Sequence, residues 1–95
     1  MITAKDYREA LVKMNEQIFE VILADIYLGD GWGIDILQEV MERGLKTRVI
    51  IMTAYPSSET AQESFRMHAA DYLVKPQTQQ GLLESVSKAL REYCE

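Results

Sequence analysis

The strongest constraint on this chain is a repeated change of hydrophobic period. Three short runs, VILADI (Val21–Ile26), RVIIMTA (Arg48–Ala54) and DYLV (Asp71–Val74), are apolar on both sides and β-branched. That is how strands covered on both faces read. The stretches around them carry apolar residues at helical spacing. Tyr7, Ala10, Leu11, Met14 and Ile18 predict a helix over about residues 4–17, with Thr3 and Asp6 as a capping-box-like start. Ile36, Leu37, Val40 and Met41 give a second helical face, stopped by Gly44. Pro56 and Ser57 open a third helix. Thr78 caps a fourth, with Leu82, Leu83, Val86, Ala89, Leu90 and Tyr93 on its inner side. Strands separated by helices pair in parallel through right-handed crossovers. The expected fold is therefore α/β, an open parallel sheet with helices on both faces.

The length of 95 residues suits one small domain, and 47% hydrophobic residues suffice for a core. A net charge of -5 argues against direct nucleic-acid binding and against anionic membranes, and leaves room for a partner with a basic patch. No run approaches membrane-spanning length. The single cysteine, Cys94, forbids an internal disulfide and reads as a bystander thiol. The opening MITAKDYREA lacks the apolar core of a signal peptide. A cytoplasmic setting is expected.

In open α/β sheets the ligand edge lies outside the carboxyl ends of the strands. Asp25 stands near the end of the first run, Thr53 near the end of the second, and Lys75 directly after the third. Singly, each has an ordinary reading: a turn cap, a strand-end hydroxyl, a solvated charge. Together they place three different groups on one rim, and the set suits a phosphoryl group. A carboxylate can attack phosphorus and become an aspartyl phosphate. An ammonium can pair with the new charge, and a hydroxyl can donate to one of its oxygens. Magnesium prefers oxygen ligands, and Asp25 and the backbone carbonyl of Tyr27 can supply two. Gly31 and Gly33 read as turn makers, with no P-loop pattern around them. Trp32 reads as a loop residue packing on the next helix. The lone His68 has no second ligand for a metal, and no nucleophile–histidine set is assembled around it. A phosphatase of the haloacid dehalogenase type would need a second aspartate where Tyr27 stands. A non-enzyme is expected.

The chain resembles the receiver domain of two-component response regulators. The resemblance is carried by VILADIYLGDGWGIDIL, RVIIMTAY and AADYLVKP, and covers most of the chain. LGDGWG and ETAQESFRMHAADYLVKP look most like receivers that control enhancer-dependent transcription. It implies a flavodoxin-like receiver fold. It implies Asp25 as phosphoacceptor, Thr53 as switch hydroxyl, and Tyr72 as the aromatic that swings inward when Thr53 moves. Lys75 becomes the phosphate-pairing cation, and the Lys75–Pro76 bond is expected to be cis, which an X–Pro bond permits. The implied donor is a histidine kinase or phosphotransfer protein, with magnesium as cofactor. The output surface would lie around the third and fourth helices and Tyr72.

A full receiver begins with a strand ending in two acids, a helix and a second strand. MITA reads as the tail of that second strand. Residues 1–95 are thus expected to form one receiver-like domain incomplete at its N-terminus, with the first strand and helix missing. Two consequences are expected. Metal binding is weak, with Asp30 a poor replacement for the lost acids. The edge at Val21–Ile26 is open and apolar and favours a homodimer, unless residues 1–3 fold in beside Val21. Gly29 stands where the family usually has proline. His68 replaces a common glycine at a position that often needs positive φ. Two functions remain open: a phosphorelay receiver using Asp25, or a receiver-like docking or dimerisation module that is never phosphorylated.

Overall fold

The computed structural model describes residues 2–4 and 6–94. In chain order its elements are β1 (Ile2–Ala4), α1 (Tyr7–Glu16), β2 (Val21–Asp25), β3 (Tyr27–Leu28), β4 (Gly31–Trp32), α2 (Gly33–Glu42), β5 (Arg48–Thr53), α3 (Ser58–Arg66), β6 (Asp71–Val74) and α4 (Gln79–Cys94). Four strands form one sheet in the order β1-β2-β5-β6, every neighbouring pair parallel. β3 and β4 make a separate antiparallel hairpin immediately after β2. The main sheet is the open parallel α/β arrangement that the alternating periods predict, and it is of the flavodoxin-like kind that the resemblance implies.

Strand alternation sorts the core into two layers. Ile22, Ala24, Val49 and Ile51 face Ala10 and Met14 of α1 and Ile36, Leu37 and Val40 of α2. Val21, Leu23 and Ile50 face α4, where Ala89 is buried and Leu82, Val86 and Leu90 pack against them. α3 lies against β6 and α2.

Local signals set most helix ends. The Asp6 side chain accepts from the Glu9 amide at the start of α1. Ser57 does the same for Thr60 in α3, and Thr78 for Gly81 in α4. Gly44 adopts φ 65° after α2 and His68 φ 67° after α3. Both conformations close a helix with a left-handed residue, easy for glycine and tolerated by histidine.

Four details differ from the sequence expectations. Thr3 lies in β1 and takes no part in capping α1. α1 ends at Glu16 with an extended cap at Gln17, so Phe19 turns inward and Ile18 is exposed. Met41 is half-exposed beside Gln38, Glu63 and Arg66 rather than on the sheet. Leu83 is exposed, being one residue, about 100° of helix, from the buried line at Leu82.

The open edge expected at Val21–Ile26 is closed. Ile2, Thr3 and Ala4 pair with Ile22, Leu23 and Ala24, so β1 sits directly beside β2 with no strand between them. Val21, Ile22 and Ile26 are fully buried, and the Ile26 amide donates to the Met52 carbonyl. The ladder takes up the backbone groups that an edge would have offered. Ile2 and Thr3 thus fold in beside β2, the alternative under which Val21–Ile26 is no free edge for a homodimer.

Candidate functional site

Asp25 is the last residue of β2, and its carboxylate lies at the carboxyl rim of the sheet. Lys75 follows β6; its amide donates to the Thr53 carbonyl at 2.8 Å, which carries it one step past the ladder. From there its Nζ reaches Asp25 Oδ2 at 2.6 Å. Asp25 Oδ1 accepts from the Tyr27 amide at 3.3 Å. The Lys75–Pro76 peptide is cis. Both side chains of the ion pair stay partly solvated, 41% for Lys75 and 30% for Asp25. At that exposure a pair is worth about 0–1 kcal/mol, so it fixes position more than stability.

Gly33 shapes the same strand end. A Cβ there would stand 2.2 Å from the Asp25 carbonyl oxygen. The Gly33 amide donates to the Ile26 carbonyl at 2.8 Å, drawing the start of α2 against the strand end. Glycine is the residue that permits this approach.

Thr53 ends β5 and is fully buried. Its hydroxyl oxygen accepts from the Tyr55 amide at 3.0 Å. Tyr72, on β6, has its hydroxyl at the start of α3. It bonds the Thr60 hydroxyl at 2.7 Å and accepts from the Ser57 amide at 3.3 Å. The structure thus joins Asp25 and Lys75 directly, sets Thr53 on the adjoining strand end, and ties Tyr72 to α3.

A cavity of about 290 Å³ opens beside the ion pair. Asp25, Tyr27 and Lys75 line its polar side, Leu23 and Met52 its apolar side. Magnesium asks for about six oxygens in near-octahedral array. Among the described residues no group of three metal-ligating side chains occurs. Asp25 is thus the one carboxylate among the residues lining this cavity.

Asp30 is engaged elsewhere. Its Oδ1 accepts from the Tyr7 amide at 2.7 Å and its Oδ2 from the Arg8 amide at 3.1 Å. The Tyr7 bond first, then the Arg8 bond, hold its carboxyl below the usual carboxylate range. The loop after Asp25 is thereby fastened to the first turn of α1. Gly31 lies against the same turn, its missing Cβ 3.1 Å from that of Tyr7. Trp32 packs on Tyr27, ring centroids 5.7 Å apart.

Comparison with known proteins decides the family. The response regulator receiver domain profile matches residues 1–87. This chain belongs to the response regulator receiver family. The transcriptional regulatory protein ZraR of Escherichia coli is 39% identical over 87 residues, 92% of this chain and 20% of that protein. The chain thus spans about a fifth of the length of that transcription regulator. The beryllofluoride-activated NtrC4 receiver domain dimer superposes with a TM-score of 0.87 at 32% identity, covering 95% of this chain and 74% of that one. A response regulator from Burkholderia pseudomallei with a phosphorylated aspartic acid, calcium ion and citrate gives 0.78 at 27% identity, covering 93% and 52%.

Sequence reasoning missed the hairpin β3–β4 and the reach of Asp30. A two-residue strand has no period to read, and Asp30 and Tyr7 are 23 positions apart. Its one clue was an acid in a glycine-rich turn.

Proposed function

We infer that this receiver-like domain accepts a phosphoryl group on Asp25 within a two-component phosphorelay, from a histidine kinase or phosphotransfer protein. The contact between Asp25 and Lys75, 2.6 Å across two strand ends, carries the reading. An Asp25 oxygen forms a bond to phosphorus as the bond to the leaving group breaks. Lys75 exchanges its carboxylate partner for a phosphoryl oxygen, keeping the new charge paired. The Thr53 hydroxyl, one strand over, turns to donate to the same group. Tyr72 then leaves Thr60 and Ser57, which alters the surface at the start of α3. The phosphorylated aspartic acid in the Burkholderia relative supports the same chemistry here. Magnesium is the cofactor of this reading, held weakly by the donors present. A role in controlling transcription accords with the transcriptional regulatory protein ZraR, and a cytoplasmic site of action goes with that reading. Among the described residues no helix is long and apolar enough to cross a membrane.

Incubation with acetyl phosphate and magnesium, followed by intact-mass measurement, tests the reading. The expected result is a gain of one phosphoryl group, absent in Asp25→Asn. No gain under any metal condition leaves a docking module in its place.

A further inference from the structure

The amino end of the sheet holds a second cavity, of about 360 Å³. Leu37 and Val40 of α2, Leu45 on the loop after it and Met67 at the end of α3 give it an apolar body. Arg48, which opens β5, and Glu92 of α4 form its polar side. Thr53 stands at the other end of β5, about 17 Å further along the strand. The cavity is therefore remote from Asp25 and Lys75.

Arg48 Nη2 donates to Glu92 Oε2 at 3.3 Å. Arg48 Nε and Glu92 Oε1 are buried and have no partner among the described residues. No other side-chain nitrogen or oxygen of the described residues is so placed. A buried polar atom left unpaired is costly, and here both such atoms belong to residues that line one cavity. The guanidinium Nε–H can only donate, and a carboxylate oxygen can only accept. A molecule that satisfies both must bring one acceptor and one donor. A carboxylate would accept from Arg48 but set an anion against Glu92. An ammonium would donate to Glu92 but set a cation against Arg48. A neutral amide offers a carbonyl to the first and an N–H to the second, and adds no charge to a pair already balanced. Lys46 and His68 also border the cavity, but both are exposed, where water and salt screen their pull on an anion.

We propose that this cavity binds a small neutral amide, a primary carboxamide or a lactam, with an aliphatic body packed against Leu37, Val40, Leu45 and Met67. The volume suits such a guest, since small-molecule sites run from about 300 to 1,000 Å³. The site owes nothing to the chemistry at Asp25 and stands whether or not Asp25 is phosphorylated.

Hexanamide, hexanoate and hexylamine share one tail and differ in the head. Each is titrated at neutral pH into the isotope-labelled chain, and the backbone amide signals are followed by NMR. Hexanamide is expected to shift the signals of Arg48, Val49 and Met67 to saturation and to leave those of Asp25 and Lys75 in place. Hexanoate and hexylamine are expected to bind about 5- to 100-fold more weakly, the effect of one buried polar atom left without a partner. Glu92→Gln removes the carboxylate that rejects an anion, so hexanoate then binds at least as tightly as hexanamide. Leu45→Trp fills the apolar body and abolishes binding, while unmoved Asp25 and Lys75 signals report that the fold holds. Equal affinities, hexanoate or hexylamine as the tightest ligand of the unmodified chain, or no saturable shift overturns the proposal. So does an unchanged ranking in Glu92→Gln. Where Leu45→Trp disturbs the fold, the three-ligand comparison in the unmodified chain and in Glu92→Gln decides.

Discussion

On one layer of the sheet, Ile22, Ala24, Val49 and Ile51 lie under two helices, α1 and α2. On the other, Val21, Leu23 and Ile50 are covered by α4 alone. The first layer packs under Ile36, Leu37 and Val40, and Leu37 and Val40 also border a cavity of about 360 Å³ with Arg48 and Val49. In the second, Leu23 and Met52 form the floor of a cavity that runs to Asp25 and Lys75. Close packing supplies stability, and open space beside Asp25 supplies access; the chain divides them between the strand middles and the carboxyl rim, where Ala24 of the first layer and Leu23 of the second both border the cavity. A small domain has little surplus stability, so the division matters.

The largest effect is expected from Ile36→Ala, which empties a fully buried place under the two-helix layer. The loss is about 2–5 kcal/mol, read by urea denaturation. Gly33→Ala follows, at about 1–3 kcal/mol, because its new methyl meets the Asp25 backbone rather than a yielding side chain. It also shifts Asp25, so the phosphorylation rate falls with stability. Leu82→Ala, on the half-covered layer, costs about 1–2 kcal/mol. Equal losses from Ile36→Ala and Leu82→Ala would break the contrast between layers. The smallest effect is a pH dependence. Because the folded state holds the Asp30 carboxyl low, its contribution is complete above the ordinary carboxylate range and is lost as pH falls through the lowered value. The Tyr7 and Arg8 amide proton shifts should titrate together in that acidic window, and stay flat in Asp30→Asn.

The sheet was legible because Val21–Asp25, Arg48–Thr53 and Asp71–Val74 are apolar on both sides, a pattern no surface strand shows. Asp25 and Lys75 were legible as polar residues at the ends of such runs. The direct pairing of β1 with β2 was legible only as an alternative, since three residues carry no period that names a neighbour. The inner line of α4 was blurred at Leu83 because adjacent leucines fit one helical face equally well until packing selects between them. The aromatic rim was invisible because Tyr27 and Trp32 lie on a hairpin too short to read and Tyr55 on the turn after β5, which only the folded chain brings together.

Through Asp30, the helix after β1 and the segment after Asp25 are fastened to each other. A protein that grasped α1 and tilted it would drag the hairpin carrying Tyr27 and Trp32 along. The helix is thus a handle on the Asp25 end of the sheet, though it contributes no side chain to the ion pair there.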